Sequence, residues 1–201
     1  MIDIEPLLRP CGWYQRQPVP LRAAIVREGR VVSLDAGQTA YLEGDAHTGL
    51  WIVLEGSMRL SMSAGQDRSA LFATAQPGAL FGRSRVGGAD ARIVTAVAGE
   101  PSRALQLSDR AMERIAADQP LMWRALADAL HNQLDGVIAA LGQMLLLRAP
   151  ARIAARLLAL AQPDPEGGPP LVPLSQTEIA EMRGASRKTV NGHLDRLDRA
   201  G

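Results

Sequence analysis

The chain has 201 residues, a net charge of +1, a hydrophobic fraction of 47% and few aromatics at 3%. That length suits one large domain or two small ones with ample apolar content for a core, and the near-neutral charge argues against wholesale coating of nucleic acid. The single cysteine, Cys11, excludes an internal disulfide and an all-cysteine zinc or iron–sulfur site within one chain.

A reducing cytoplasm fits that cysteine content, and no charged-then-apolar leader opens the chain. The longest apolar stretch, around 137–147, is interrupted by Gly142 and Gln143 and is too short for a membrane span.

The first hundred residues are broken by Gly and Pro into short β-like runs. Val31, Val32 and Leu34 precede Ala36-Gly37, and 39–42 precede Glu43-Gly44-Asp45. The run 50–54 precedes Glu55-Gly56, and Met58, Leu60 and Met62 alternate with polar residues before Gly65. Leu71 and Phe72 lead to Pro77-Gly78, and 93–98 and 104–107 complete the set. Many short strands at roughly even turn spacing predict a sandwich or barrel and not a parallel sheet.

At Ser108 the period changes. Ser108 is a candidate N-cap for a short helix through Ala117, and Pro120 marks the next helix start. Trp123, Ala127, Leu130, Leu134, Val137, Leu141 and Met144 are then spaced alternately by four and three. That is the seam of a two-stranded coiled coil, and a dimer is favoured over a helix buried against its own domain. Ile138 and Leu145 form a second apolar edge, available to pack on the β domain. Arg148-Ala149-Pro150 breaks this helix, and 152–161 forms another, apolar at Ile153, Leu157, Leu158 and Leu160. A Pro/Gly-rich loop follows over 162–173.

The final stretch reads as a helix-turn-helix. Ser175 and Glu178 fit a capping box, Ile179 and Met182 face a core, Ala180 allows a close helix crossing, and Gly184 supplies the turn. From the N-cap candidate Ser186, Val190, Leu194 and Leu197 recur at helical spacing. The other face offers Arg187, Lys188, Thr189 and Asn191. Arg or Lys can read guanine, Asn can read adenine, and Thr or Ser suit phosphates. Five basic residues (Arg183, Arg187, Lys188, Arg196, Arg199) stand against four acidic ones (Glu178, Glu181, Asp195, Asp198), so the basic side chains must work by placement. The pattern by itself is equally that of a surface helix pair.

In order and spacing, the chain resembles the Crp/Fnr family of bacterial transcription regulators over nearly its whole length. A-G-Q-T-A-Y-L-E-G-D (36–45), W-I-V-L-E-G-S-M-R-L (51–60) and P-G-A-L-F-G (77–82) are similar to the family's cyclic-nucleotide-binding β-roll. Q-P-L-M-W (119–123) through A-R-I-A-A-R-L-L-A-L-A (151–161) resembles its dimerisation helix and hinge, and S-R-K-T-V-N (186–191) the start of its recognition helix. The resemblance implies an α+β architecture. A jelly-roll-like sensor domain spans 1–119, a coiled-coil dimerisation helix 120–147 and a winged helix-turn-helix 148–201. Family members continue past Ala200-Gly201 into a β-hairpin wing, so the expected motif lacks most of that wing and is the less stable half.

The resemblance also implies roles. Arg187 falls at the main base-reading arginine, and Lys188 at a polar base-reading position whose target should differ. Thr177, Ser186 and Thr189 match phosphate contacts, Gly192 replaces a frequent arginine, and Arg183 and His193 stand where apolar residues are usual. His193 is expected half-buried or turned to DNA, the first being preferred. Double-stranded DNA with a palindromic operator, RNA polymerase and a second copy of the chain are the implied partners.

The effector pocket is expected at Phe81, Gly82, Arg83, Arg92, Ile93, Val137 and Ile138. Cyclic-AMP-binding members use a Gly-Glu pair for the ribose, an Arg-Ser pair for the phosphate and a Thr-Ser pair for the adenine. Here Gly82-Arg83 puts a cation where the carboxylate belongs, Ile93 follows Arg92, and Val137 and Ile138 hold the adenine positions. Each unmet buried polar group costs about 1–3 kcal/mol, so no physiological cyclic AMP binding is expected. Arg83, Arg85 and Arg92 either gather round an anion or are solvated loop arginines. No metal and no cofactor is predicted, haem being the one alternative left open. Its candidate axial ligands are His47, His131 and Cys11, with His131 expected at the helix interface. No nucleophile–base pair, metal cluster or phosphate loop suggests an enzyme, G-G-A-D at 87–90 being a turn. The competing reading is a regulatory module that acts on protein partners with a non-functional DNA-binding domain.

Overall fold

The computed structural model describes residues 3–46, 49–63, 69–85, 91–161, 168–172, 179 and 187–199. The chain divides into two units, Met1–Leu134 and Asp135–Gly201, with the boundary inside a long helix.

The first unit opens with helix, which the strand pattern gave no reason to expect. A 3-10 turn (Pro6–Leu8) is followed by α1 (Gly12–Gln15) and α2 (Val19–Glu28). Prolines stand in the first turns of the 3-10 segment and of α2, where a missing N–H costs nothing. Leu21, Ala24 and Ile25 give α2 its buried face. Gly29 ends it against the sheet, where a Cβ would lie 2.8 Å from the Ile25 carbonyl oxygen and crowd the Leu105 side chain, so a larger residue would force a shift.

Eight strands follow: β1 (Arg30–Leu34), β2 (Thr39–Tyr41), β3 (Gly49–Glu55), β4 (Met58–Ser63), β5 (Ser69–Ala75), β6 (Leu80–Arg83), β7 (Thr95–Ala98) and β8 (Ser102–Ser108). They form two four-stranded sheets, β1-β8-β3-β6 and β2-β7-β4-β5, with antiparallel pairing throughout. β3 shows why its sequence is continuously apolar. Leu50, Ile52 and Leu54 enter one core with the N-terminal helices, while Trp51 and Val53 enter a second with Tyr41, Met58, Phe81 and Ala96. A strand buried on both faces loses its alternation. β6 is absent from the β-like runs of the sequence, and its pairing with β3 (Leu50↔Gly82, Trp51↔Phe81) makes it a strand.

Ser108 caps α3 (Asp109–Asp118) as expected, its Oγ accepting from Ala111 N at 3.2 Å. Met112 and Ile115 of α3 share the first core with Met122, Ala125, Leu126 and Ala129 of α4 (Leu121–Leu146). Trp13 Nε1 donates to the Ala125 carbonyl at 2.7 Å, joining the N-terminal segment to α4.

The coiled-coil positions are on the other face of α4. Trp123, Ala127, Leu130, Leu134, Val137, Leu141 and Met144 are all exposed in the single chain, Leu134 at 55% and Leu141 at 52%. Ile138 and Leu145 are exposed as well. Among the described residues, no helix is long and apolar enough to cross a membrane.

The second unit continues with α5 (Ala149–Leu160), which has Pro150 in its first turn, and with α6 (Arg187–Asp198). Arg152 Nη1 donates to the carbonyls of Met144 and Leu147, both at 3.2 Å, capping the end of α4. Ile153, Ile179 and Val190 form the core, with Leu157 and Leu194 packed against it. Leu158, expected on the apolar face, is 79% exposed instead. The capping-box and turn residues Ser175, Glu178, Ala180, Met182 and Gly184 lie outside the described residues.

Candidate functional site

The proposed effector residues of the β-roll meet where β6 runs beside β3. Phe81, Trp51 and Tyr41 form an aromatic cluster with ring centroids 6.1–6.3 Å apart. Gly82 has φ +102, and a Cβ there would lie 2.5 Å from the Gly49 carbonyl oxygen and 3.0 Å from Arg92 Nη1. Only glycine admits this approach of β6 to Arg92.

Arg92 is only 3% exposed. Its Nη1 donates to the Gly49 carbonyl at 2.8 Å, and its guanidinium lies 4.0 Å from the centroid of the Tyr41 ring. Burial pulls its pKa below the usual arginine value, an effect opposed by Tyr41, Asp109 and Asp45. Burial also pushes the Tyr41 phenol up to about 12, with Arg92 pulling the other way. Tyr41 Oη and Trp51 Nε1 are buried without a hydrogen-bond partner, so the cluster holds two unspent donors.

The other arginines also reach backbone carbonyls, from less buried positions. Arg83, half-buried, has Nη1 3.5 Å from the Ala91 carbonyl, and Arg85 Nη2 donates to the Ala46 carbonyl at 2.9 Å. Asp109 Oδ1 accepts from Ser84 Oγ at 2.8 Å and from Arg85 N at 3.1 Å, fastening the end of β6 to the start of α3. Arg83, Arg85 and Arg92 thus each reach a backbone carbonyl, Arg92 from a buried position and Arg85 from an exposed one. Ile93 is exposed, and so are Val137 and Ile138 of α4.

Tyr41, Gly49 and Asp109 belong to this site and were missed in the sequence. Tyr41 stands 51 positions before its partner Arg92, and no local pattern joins them. β2 gave no alternation to mark it, being three residues long with a register shift between Thr39 and Tyr41.

On α6, Val190 is fully buried, while Lys188, Asp195 and Arg196 are exposed. Thr177, Ser186 and Arg183 lie outside the described residues, as do the side chains of Arg187, Thr189 and Leu197. Asn191 is half-buried, with its Oδ1 buried and unpartnered, so that oxygen is not presented to a base edge in this conformation. His193 is half-buried, and its Nδ1 is hydrogen-bonded to Arg196 Nη2.

Of the haem-ligand candidates, Cys11 is buried in the first core, with burial raising its thiol pKa, and His47 lies outside the described residues. His131 is exposed on α4, and its Nδ1 is bonded to the Ala127 carbonyl at 2.8 Å.

The two halves of this arrangement each match a family model. Residues 31–119 match the cyclic nucleotide-binding domain and residues 151–201 the Crp-like helix-turn-helix domain. The cyclic AMP receptor protein of Thermus thermophilus is 30% identical over 167 residues, covering 82% of this chain and 75% of that protein. The chain belongs to the Crp/Fnr family of transcription regulators.

Another member of the family, the CRP-like cAMP-activated global transcriptional regulator of Mycobacterium tuberculosis, is 29% identical over 195 residues, covering 95% of this chain and 87% of its own. Among solved structures, a CRP/FNR-family regulator from Thermus thermophilus superposes with a TM-score of 0.68 at 26% identity, covering 86% of this chain and 87% of its own. FixK2 from Bradyrhizobium japonicum shares the fold, with a TM-score of 0.74 at 20% identity and 86% of each chain covered. This Crp/Fnr chain is a DNA-binding transcription regulator with a cyclic-nucleotide-binding-type domain, and its relatives are regulators and not enzymes.

Proposed function

We propose that this Crp/Fnr regulator acts as a homodimer that binds a palindromic operator through α6, contacts RNA polymerase, and responds through its β-roll to an effector other than cyclic AMP. The observation that carries the effector reading is the state of the arginines. Arg92, at the position the family uses for phosphate, is buried and engaged with Gly49 and Tyr41. Arg83 stands where a ribose-binding carboxylate is needed and leans on the Ala91 carbonyl. What the aromatic cluster offers is donors, Tyr41 Oη and Trp51 Nε1. Two relatives are named for cyclic AMP, so the distinction lies in these residues and not in the fold.

Titration calorimetry with cyclic AMP tests this directly. No saturable heat is expected in the low-micromolar range, and saturable binding there overturns the reading.

The dimer is supported by the outward heptad face of α4, whose apolar side chains have no cover in a single chain. A dimer presents two recognition helices to a two-fold operator. Thr177, Ser186 and Thr189 are assigned to phosphates, Arg187 and Lys188 to base edges, and Asn191 to a base edge only once its amide turns out from the buried position it holds here. Gel shift on a palindromic duplex at low salt, with Arg187→Ala and Lys188→Ala, tests the assignment. Each substitution should cost roughly 1–3 kcal/mol of sequence preference, and unchanged preference overturns it.

A further inference from the structure

The exposed face of α6 carries a local arrangement that the recognition-helix reading leaves unused. Val190 and Leu194 turn α6 towards its own core, so Lys188, Gly192, Asp195, Arg196 and Arg199 share the opposite side. At Gly192 this face is bare, because a Cβ built there meets nothing within 4 Å. Arg196, one turn further on, folds back along the helix. Its Nε donates to the Gly192 carbonyl at 2.9 Å, and its Nη2 is hydrogen-bonded to His193 Nδ1. The guanidinium can only donate, so His193 accepts through Nδ1 and carries its proton on Nε2.

This geometry moves a positive charge. An arginine extending freely from position 196 would place its charge over the C-terminal half of α6. Folded back, the guanidinium is held beside Gly192 and His193, on the N-terminal side of its own Cα and so towards the half of α6 that faces DNA in a helix-turn-helix. The two bonds use Nε and one hydrogen of Nη2, which leaves both hydrogens of Nη1 and one of Nη2. A guanidinium pinned to the helix surface lacks the reach to probe the floor of a groove. It suits a backbone phosphate at the groove edge, with the planar fork already oriented.

We propose that Arg196 contacts a DNA phosphate, with the Gly192 carbonyl and His193 as its positioning groups. The inference rests on the reading of α6 as the recognition helix. Its energetic signature is therefore sequence-independent, and salt-dependent through counterion release.

The test uses the full chain and fluorescence anisotropy on two labelled duplexes. One is the duplex that the wild-type protein enriches from a randomised library, and the other is a scrambled duplex of equal length. Affinity is measured over a range of potassium chloride concentrations. Arg196→Ala is expected to weaken binding to both duplexes by the same factor, about three- to tenfold, and to reduce the salt slope by about one. His193→Ala should reproduce part of that loss in slope. Arg196→Lys, which keeps a cation at the same position, should keep most of the slope. Retention of the slope by Lys and its loss with Ala separate a charge contact from a merely structural role.

Arg196→Gln serves as a second variant, and circular dichroism melts check that both stay folded. Equal affinity and equal slope for wild type and the folded variants overturn the inference. So does a loss confined to the selected duplex, which would make Arg196 a base reader. A wild-type protein that binds neither duplex overturns the recognition-helix reading itself, and this inference with it.

Discussion

The guanidinium of Arg92 lies 4.0 Å from the centroid of the Tyr41 ring, with both residues almost fully buried between the two sheets. A buried cation must be paired or stacked to persist there, and Arg92 is both stacked on the ring and bonded to the Gly49 carbonyl. The residue is therefore part of the architecture of the β-roll, whatever it does with an effector.

Arg92→Ala is accordingly expected to destabilise the β-roll by about 2–4 kcal/mol, from the lost stacking and the lost charged hydrogen bond together. Urea unfolding followed by tryptophan fluorescence measures this. Wild-type stability in the variant would mean that the contact is dispensable.

Leu134→Glu and Leu141→Glu should convert a dimer into monomers without unfolding the chain. Both side chains are exposed in the single chain, so a charge there meets water in the monomer and hydrocarbon in a coiled coil. Light scattering coupled to gel filtration reads the mass, and circular dichroism checks the fold. A variant that keeps the wild-type dimer mass would remove α4 from the interface.

The tyrosines give a pH signature. Burial raises Tyr41 to about 12, and burial together with the bond to Glu5 raises Tyr14 further. These are the two tyrosines of the chain. A folded pKa above the unfolded value means that the stabilisation is complete below pH ~10 and is lost as pH climbs through the folded values. Phenolate absorbance should therefore lag the denatured chain between about pH 10 and 12. A normal phenol titration in the folded protein would contradict the buried placement of both rings.

Trp13→Phe isolates the bond between the N-terminal segment and α4. It removes the indole donor to the Ala125 carbonyl while keeping a ring in the core. A loss of about 1–2 kcal/mol is expected from the bond and the smaller ring. Hydrogen exchange should show faster opening of residues 6–28, and unaltered exchange there would count against the tie.

Much of the fold was legible because its signals are local. The capping of α3 by Ser108, the period of α4 and the Gly/Pro punctuation of the strands each depend on residues within a turn or two of one another. β6 was missed because Leu80, Phe81 and Gly82 become a strand only through β3, some thirty positions earlier. The N-terminal helices were missed for a similar reason, since α2 buries only Leu21, Ala24 and Ile25 and its remaining surface carries no clear stripe. At the candidate site the arginines were visible as residue types, but their partners were not. Each donates to a backbone carbonyl, a group that every residue carries and no sequence pattern marks. The same holds on α6, where Arg196 is one more basic residue until its bond to the Gly192 carbonyl is seen.

Arg152 and Pro150 together set a limit on α4. The proline ring occupies the first turn of α5, and Arg152 spends its donors on the carbonyls of Met144 and Leu147, which a longer helix would need for itself. Winding further residues onto the C-terminal end of α4 would therefore compete with Arg152 for both carbonyls and run into the ring of Pro150.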